Sequence, residues 1–313
     1  MHNPLVSILI PLYNAEQYIE ETITKALEQT YSNTELVIVD DHSTDNSLKI
    51  AQKYASEKVH IYSNPKKGGN SARNYAFEKC NGEYIKFMDA DDYCTNDMIE
   101  KQMERMLKDG DENTLIFSPV KMLYPDGKFF LPPREIDKDY IPGIELLIDI
   151  WRERGWNCPH CHLMHRNLFV KSKGWDESIL RNQDGEFFAR VAAEASESLS
   201  VKNVFAIWRQ TGNGVSTRKS IESHKSVLIT FKRIIALILN YQDTQETRYT
   251  CANHLGLFLY MYYDTIQPLI PDILEVYQEL GTGIILPNRK IIKILRFFLG
   301  WKNALSITKK LNL

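Results

Sequence analysis

The sequence predicts an α/β fold in which helices flank a mostly parallel sheet. Two observations lead to this prediction. Strand patterns alternate with helix patterns over the first hundred residues, and the strands are nearly unbroken apolar runs. Such alternation implies crossover connections between parallel strands, and unbroken apolar strands are typical of a sheet that is covered on both faces.

The predicted elements follow in strand and helix order from residue 6 to residue 88. They are the strand Val6–Leu12, a helix with an apolar stripe at Ile19, Ile23, Ala26 and Leu27, the strand Glu35–Val39, a helix carrying Leu48, Ala51 and Ala55, the strand Val59–Tyr62, the helix Ser71–Lys79 and a strand that ends at Met88. Asp45 precedes the second helix and is its predicted cap, because its carboxylate can accept a bond from a free helix N–H.

The pattern changes in the last third of the chain. Apolar residues recur at helical spacing at 221–239 and 254–266, and Pro268, Pro271 and Pro287 punctuate the connections. We therefore predict an α/β domain at residues 1–218 and a helical C-terminal region at residues 219–313.

The composition excludes several classes of protein. Of the 313 residues, 43% are hydrophobic and 25% are charged, which is typical of a globular chain with a full core. The formal charge of -2 gives no basic excess, so we expect no nucleic-acid partner. The first apolar run is too short for a signal peptide, and no stretch of about 20 residues is free of charge. The five scattered cysteines are expected to be free thiols, so we predict a cytoplasmic protein that spans no membrane.

Polar residues follow three of the predicted strands, at Pro11–Asn14, Asp40–Ser43 and Asp89–Asp92. The carboxyl ends of parallel strands meet at one edge of a sheet, where ligands bind. Neither a dinucleotide-binding G-x-G-x-x-G motif nor a P-loop follows the first strand. The carboxylates of Asp89, Asp91 and Asp92 repel one another, and a Mg²⁺ or Mn²⁺ ion shared with a diphosphate would neutralise them.

With these motifs the chain resembles the family 2 glycosyltransferases with the GT-A fold. The resemblance covers roughly residues 4 to 218 and rests on motifs in the family's order, at Val6–Asn14, Val39–Asp45, Gly69–Asn74, Asp89–Asp92 and Gln183–Phe187. It implies a Rossmann-like domain with a nucleotide-binding half at 4–95 and an acceptor-binding half at 96–218. It also implies an enzyme that moves a sugar from a nucleotide-diphosphate donor to an acceptor hydroxyl with inversion, in the synthesis of bacterial cell-surface polysaccharide or glycolipid.

The resemblance implies roles for individual residues. Nucleotide-sugar contacts map onto Pro11, Tyr13, Asp41, Asp89 and Asp91, the metal ligands onto Asp91 and Asp92, and the catalytic base onto Asp184. Displacement at an anomeric carbon needs a base for the proton of the attacking hydroxyl and a charge sink for the departing diphosphate, and Asp184 and the metal would fill these roles. Arg73 is a further expected nucleotide-sugar contact, because a guanidinium beside the Gly68–Gly69 turn suits phosphate.

Structural alternatives stay open for three of these residues. Asp41 could be a turn residue, Asp184 could cap the helix that follows it, and Arg73 could pair with surface carboxylates. Two other functions also stay open. One is a non-catalytic scaffold that binds nucleotide sugars or carbohydrate. The other is a nucleotidyltransferase, although such enzymes normally carry G-x-G-T-R after the first strand.

The segment Cys158–His165 contains two cysteines and three histidines, which are the ligand types that zinc prefers. The second half of a structural zinc site is missing from the sequence, so zinc is only an alternative here. In the family this segment lines the acceptor side of the cleft, and its histidines are expected to be wall residues.

One motif departs from the family pattern. Many members carry Y-R-x-H-x-x-S-x-S after the base, with the histidine near the metal, whereas Thr211 stands at the position of that histidine here. The metal is therefore expected to have fewer protein ligands. Gly212 and Gly214 would let this segment close over a bound donor.

The end of the chain is basic. From residue 289 to residue 313 there are seven Lys or Arg residues and no Asp or Glu. Wound as a helix, residues 289–301 have an apolar face and a basic face, a pattern typical of helices that lie on membranes. We predict peripheral contact with an anionic membrane on the inner face of the plasma membrane. The alternative is that the apolar face packs on the preceding helices.

Overall fold

The computed structural model describes residues 3–133, 135–153, 155, 157–212, 220–287 and 290–310. The strands are β1 (Val6–Leu12), β2 (Thr34–Asp40), β3 (Val59–Ser63), β4 (Tyr84–Phe87), β5 (Tyr93–Cys94), β6 (Thr114–Phe117), β7 (Val120–Leu123), β8 (Phe129–Phe130), β9 (His162–His165), β10 (Glu197–Ser200) and β11 (Ala206–Arg209). The helices are α1 (Ile19–Leu27), α2 (Ser47–Gln52), α3 (Gly69–Lys79), α4 (Met98–Asp109), α5 (Ile144–Arg152), α6 (Arg166–Lys171), α7 (Gln183–Glu194), α8 (Ile221–Tyr241), α9 (Gln245–Tyr262), α10 (Ile270–Glu279) and α11 (Lys290–Lys310).

The larger sheet has seven strands in the order β10, β6, β9, β4, β1, β2, β3. All its neighbouring pairs are parallel except those of β9, which is antiparallel to both β4 and β6. The predicted α/β class with a mostly parallel sheet is confirmed. Strands β1 and β2 are almost completely buried, as their unbroken apolar sequences require.

The smaller sheet has four strands in the order β5, β11, β7, β8. Strand β11 runs antiparallel to β5, with Ile207 opposite Tyr93. This pairing brings the chain near residue 209 to the start of β5, directly after the acidic turn Asp89–Asp92.

The predicted elements of the first hundred residues are present, and the ends of three strands, β2, β3 and β4, differ from the prediction by one residue. Strand β1 has the predicted bounds. Helix α2 ends at Gln52, before Ala55, which is exposed. The cap position of α2 is Asn46 rather than the predicted Asp45, although Asp45 Oδ1 accepts from the Ser47 backbone N–H at 2.9 Å. Helix α3 begins at Gly69, two residues before the predicted start.

The contacts between residues divide the chain into two compact units. The first comprises residues 1–146, 156–179 and 183–214, and the second comprises 147–155, 180–182 and 215–313. Two short segments that precede residue 218, namely 147–155 and 180–182, therefore group with the second unit rather than with the predicted domain 1–218.

The second unit is helical. The Ser220 side chain caps α8, and a reciprocal pair of bonds between Thr244 and Thr247 caps α9. Aromatic rings form part of its core: Trp151 stacks on His254 at 4.4 Å, and Phe231 contacts both rings. No helix in the described part of the chain is long and apolar enough to cross a membrane.

Helix α11 covers most of the predicted membrane-binding segment 289–301. It is broken at Gly300, where φ is 73° and ψ is 167°. Ile292 is buried, whereas Phe297 is 84% exposed and Leu299 is 45% exposed. Arg289 and the side chains at 290, 291, 293, 294, 296 and 298 lie outside the described residues, so the segment is described only in part.

Candidate active site

The turns after β1 and β2 lie side by side at one edge of the larger sheet. The two strands are parallel neighbours, and the backbone N–H of Asp41 donates to the carbonyl of Leu12 at 2.7 Å. The Asn14 side chain accepts from the backbone N–H of Thr44 at 2.8 Å and so joins the two turns. Strand β4 lies on the other side of β1, so the acidic turn after it belongs to the same edge.

Asp41 is buried and organises the loop that follows β3. Its Oδ1 accepts from the Asn64 side chain and from the backbone N–H of Gly68, both at 2.7 Å. Asn64 in turn accepts from the Ser71 hydroxyl at 3.0 Å. Asp41 therefore holds the glycine turn that precedes α3, which agrees with the alternative that Asp41 is a turn residue. Asp41 also lies at the sheet edge where a nucleotide contact is predicted.

Pro11 and Tyr13 flank the end of β1. Pro11 is half-buried and pairs with Val39 in the sheet, while Tyr13 is 47% exposed. The Tyr13 ring is thus accessible at the sheet edge where the sequence predicts nucleotide contacts.

Asp89 pairs with Arg73 in the acidic turn. Arg73 Nη2 donates to Asp89 Oδ1 at 2.7 Å. Arg73 is 7% exposed, and its guanidinium lies 4.6 Å from the ring centre of the buried Trp175. Arg73 therefore pairs with a carboxylate, as the structural alternative expects, although its own side chain is buried and Asp89 is only partly exposed. Asp89, Asp184 and Asp41 together raise the pKa of Arg73 against the effect of burial, which places three predicted site carboxylates around one cation.

Asp91 and Asp92 occupy different environments. Burial and the charge of Asp89 raise the pKa of Asp91 to about 6. Asp92 is fully buried, accepts from the backbone N–H of Arg209 at 2.7 Å and lies 3.6 Å from Nδ1 of His160. Burial raises the pKa of Asp92 well above its usual value. Both oxygens of Asp92 therefore face protein groups, and this placement favours Asp91 over Asp92 as a metal ligand.

The acidic turn fits a divalent cation that is shared with a ligand. Burial is the largest cause of the raised pKa of Asp91, the charge of Asp89 adds to it, and the charge of Arg209 offsets it only in part. Within the described residues, no group of three or more His, Cys, Asp or Glu side chains is arranged to hold an ion. Mg²⁺ commonly binds to one or two carboxylates together with substrate phosphates, which suits a site with so few protein ligands.

Asp184 lies in the first turn of α7 rather than at its cap, since the helix begins at Gln183. Its Oδ1 is buried and has no hydrogen-bond partner. Burial raises the pKa of Asp184 to about 7, opposed by Arg73 and reinforced by Asp89. Buried polar atoms without partners are rare, and a buried carboxyl with a strongly raised pKa is a candidate for a functional site.

The segment Cys158–His165 is an interior segment. Cys158 and Cys161 are buried free thiols, and no metal-binding group is present among the residues that the structure describes. His160 faces Asp92, while His162 is buried and stacks on Phe188 at 3.8 Å. The expectation that these histidines line the wall of a cleft is not met for these two, because both are buried in the core.

Thr211 contacts the acidic turn. Its side chain lies close enough to the Asp91 carboxyl to lower the pKa of that group. The residue that replaces the family's histidine is therefore directly beside the predicted metal ligand. Of the glycines in the predicted closing segment, Gly214 lies outside the described residues.

Three residues of this site were not predicted from the sequence. Asn64 supports Asp41, Thr22 donates to the carbonyls of Ala90 and Asp92 at 3.0 Å each, and Arg209 contacts the same turn. Asn64 had a sequence signal, because Asn-Pro after a strand is typical of a turn, and Arg209 stands at the arginine of the family pattern Y-R-x-H, whereas Thr22 had no signal.

Comparison with known proteins gives consistent results. The sequence profile of glycosyl transferase family 2 matches residues 7–171. The putative teichuronic acid biosynthesis glycosyltransferase TuaG of Bacillus subtilis is 37% identical over 143 residues, which are 44% of this chain and 56% of TuaG. The chain spans about half the length of the curated relatives it matches.

Two solved structures share the fold. Residues 1–349 of S. aureus TarS, in complex with UDP-GlcNAc, match with a TM-score of 0.70 and 16% identity over 99% of this chain and 91% of that chain. The mannosyltransferase PcManGT of Pyrobaculum calidifontis, in complex with GDP-Man and Mn²⁺, matches with a TM-score of 0.61 and 16% identity over 100% of this chain and 88% of that chain.

Proposed function

We propose that this chain, which belongs to glycosyl transferase family 2, transfers a sugar from a nucleotide-diphosphate sugar to a hydroxyl group. The hydroxyl group belongs to a glycan or glycolipid, and the transfer inverts the anomeric carbon. The observation that carries the proposal is the position of Asp184, a carboxyl with an unpartnered buried oxygen and a pKa of about 7, next to the charges of Arg73 and Asp89. A base with a pKa near the working pH is effective in proton transfer.

The protein groups would divide the work as follows. Tyr13 and Asp41 lie at the sheet edge where the nucleoside would bind, with Pro11 before them in β1. Asp184 would accept the proton of the acceptor hydroxyl as that oxygen attacks the anomeric carbon. Attack from the face opposite the departing nucleoside diphosphate inverts the configuration.

Arg73 would set the electrostatics of this step. Its buried guanidinium favours the ionised form of Asp184 and so keeps the base available near neutral pH. Its ion pair with Asp89 also holds the acidic turn in place. We therefore assign Arg73 an indirect part in donor binding, through Asp89, rather than the direct phosphate contact predicted from the sequence.

The metal is proposed to be Mn²⁺ or Mg²⁺. Asp91 would hold it, with Asp89 beside it, and Asp92 is the second ligand that the sequence predicts. When bound, the cation neutralises the diphosphate and so makes it a better leaving group. PcManGT was solved with Mn²⁺, which supports this choice.

The biological setting is proposed from the relatives. TuaG is named for the biosynthesis of teichuronic acid. We propose a similar role for this chain in the synthesis of bacterial cell-surface polysaccharide. The donors in the neighbouring structures, UDP-GlcNAc and GDP-Man, are the first candidates to test.

The test is the release of nucleoside diphosphate from UDP-glucose, UDP-GlcNAc and GDP-mannose, measured with and without Mn²⁺. The active donor should release UDP or GDP at a rate that Asp184→Asn lowers about 10² to 10⁴-fold, the usual contribution of a general base. A protein that binds a donor without releasing diphosphate would instead be the non-catalytic scaffold. Formation of UTP or GTP and sugar 1-phosphate when pyrophosphate is added would indicate a nucleotidyltransferase.

A further inference from the structure

The acidic turn Asp89–Asp92 is fixed through its main chain as well as through its side chains. The backbone N–H of Asp92 donates to the carbonyl of Asp89 at 3.2 Å, which closes the turn. The hydroxyl of Thr22, in α1, donates to the carbonyls of Ala90 and Asp92. The carbonyl of Asp91 accepts from Nε of Arg209 at 2.9 Å. Each of the four carbonyls in the turn thus has a donor.

Arg209 connects the turn to helix α1. Its Nη2 donates to Glu21 Oε2 at 2.8 Å, while its Nε donates to the carbonyl of Asp91. A guanidinium is planar and its donors are fixed in direction, so the two bonds orient the Asp91 carbonyl relative to Glu21. The guanidinium also lies over Tyr18 at 5.0 Å and Tyr93 at 5.5 Å, which restricts its motion further.

The fold brings these groups together over a long sequence separation. Strand β11 pairs with β5 so that Ile207 lies opposite Tyr93, and Arg209, two residues further on, reaches the residues just before β5. Glu21 is 188 residues away from Arg209 in the sequence and adjoins Thr22, the other residue that holds the turn. Two elements, α1 and β11, therefore hold the turn from separate directions.

We propose that Arg209 and Glu21 are positioning residues that hold the Asp91 turn in the conformation that binds the metal and the nucleotide diphosphate. This inference rests on the proposed function, because it assumes that Asp91 is a metal ligand. Both act on Asp91 through its main chain, Glu21 by way of the Arg209 guanidinium. The Asp92 carboxylate accepts from the backbone N–H of Arg209, a bond that side-chain substitution leaves in place.

Substitutions of Arg209 and of Glu21 should show how much each residue contributes to Mn²⁺ binding. Arg209→Gln removes both side-chain bonds, and we expect it to weaken Mn²⁺ binding about tenfold, since supporting partners of metal ligands are typically worth 10 to 100-fold in affinity. Arg209→Lys keeps the positive charge but loses the planar set of N–H donors, so it should weaken Mn²⁺ binding less than Arg209→Gln does. Glu21→Ala leaves the guanidinium in place without its second anchor and should weaken binding several-fold.

The experiment is a titration of Mn²⁺ in the presence of UDP and, separately, of GDP, with free Mn²⁺ measured by EPR for the full chain and each variant. Thermal melting of every variant is recorded alongside. Arg248→Gln is the matched control, because Arg248 also bonds to a carboxylate, Asp243, and to a main-chain carbonyl, that of Glu279, but in helix α9 of the second unit. It should bind Mn²⁺ as the unmodified chain does.

The outcomes distinguish this inference from the proposed function. If the unmodified chain fails to bind Mn²⁺ both in the presence of UDP and in the presence of GDP, the metal part of the proposed function is wrong. This inference then fails with it. If the unmodified chain binds Mn²⁺ and both Arg209→Gln and Glu21→Ala bind equally well, the inference alone is wrong. Should Arg209→Gln not fold, Glu21→Ala decides the question, because it removes only the exposed partner of the pair.

Discussion

At the scale of single residues, burial sets the chemistry of the carboxylates. Asp184 and Asp91 both have raised pKa values, to about 7 and about 6, and desolvation is the largest cause for each. A raised carboxyl pKa has two effects of opposite sign: the base is ionised only at higher pH, and the folded protein holds protons that the unfolded chain has already lost. Activity and stability should therefore change in opposite directions with pH.

We predict this opposition for Asp184. The rate of donor turnover should rise as the pH increases through about 7, while the part of the stability that depends on Asp184 is complete below pH 4 and is lost as the pH rises towards 7. Asp184→Asn should remove both effects, because the amide does not titrate. The measurements are the pH profile of diphosphate release and the Tm at pH 5 and pH 8; a pH dependence of stability that is the same in both proteins would contradict the assignment.

We predict that Thr211→His tightens metal binding. The Thr211 side chain lies close enough to Asp91 to lower its pKa, and an imidazole at this position could add a nitrogen ligand. Changes around a metal site are typically worth 10 to 100-fold in affinity, so we expect about tenfold tighter Mn²⁺ binding with nucleotide present. Thr211→Val is the control, because it removes the hydroxyl without adding a ligand. Equal affinities for the histidine and valine variants would show that this position lies too far from the metal.

At the scale of elements, the sequence predicted what is periodic and missed what is paired over a distance. Strand β1 could be delimited because its apolar run is unbroken. Strand β9, His162–His165, was not predicted, because it is four residues long and lies in a segment whose cysteines and histidines suggested metal ligands. Asp184 was found through its motif, but no pattern in the sequence connects Arg209 with Glu21 or Asp91.

Helix α9 offers a test of close packing. A Cβ at Gly256 would lie 1.8 Å from the carbonyl oxygen of Ile285, so Ala would force the backbone apart despite its better helix propensity. We expect Gly256→Ala to cost about 1–3 kcal/mol of unfolding free energy, which is typical of overpacking. Gly283→Ala, where a Cβ would meet nothing within 4 Å, should change stability by less than about 0.5 kcal/mol. Urea unfolding of both variants gives the comparison.

The basic end of the chain stays a proposal at this scale. The exposed Phe297 and Leu299 suit insertion into a membrane interface, while the buried Ile292 suits packing within the second unit. We propose that residues 289–301 bind an anionic membrane on its cytoplasmic side and so bring the enzyme to a lipid-linked acceptor. Each basic residue near an anionic surface is worth about 1 kcal/mol, so salt should weaken the binding.

The corresponding measurement is co-sedimentation with vesicles of phosphatidylglycerol and phosphatidylcholine. Reversal of Lys290, Lys293 and Arg296 to Glu should abolish binding, whereas reversal of the exposed Lys49, Lys53 and Lys101 should leave most of it. These reversals are preferable to truncation at Pro287, since Ile292, Ala304 and Leu305 are buried and their loss could unfold the second unit. Equal binding by both triple variants, or no binding by any protein at low salt, would assign the helix to the fold alone.

At the scale of the whole molecule, stability should respond to the ligand. A ligand that binds only the folded state stabilises it by about 2.7 kcal/mol at 100 times its dissociation constant. We predict that UDP or GDP together with Mn²⁺ raises the Tm, and that Asp91→Ala removes the Mn²⁺-dependent part of this shift. A scan of melting temperature against nucleotide and metal tests this. If Asp91→Ala keeps the full shift, Asp91 is not the metal ligand.

The antiparallel strand β9 also has a consequence for the order of events during synthesis. Strands β1 to β4 can pair as soon as residue 87 has left the ribosome, but β6 joins them only through β9, whose last residue is His165. A nascent chain that ends before residue 162 therefore exposes the edge of β4 that later pairs with β9 and both edges of β6, because β10 has not been made either. At about 5–20 residues per second, translation from residue 117 to residue 165 leaves these edges open for seconds, which is long enough for a chaperone or a neighbouring chain to bind them.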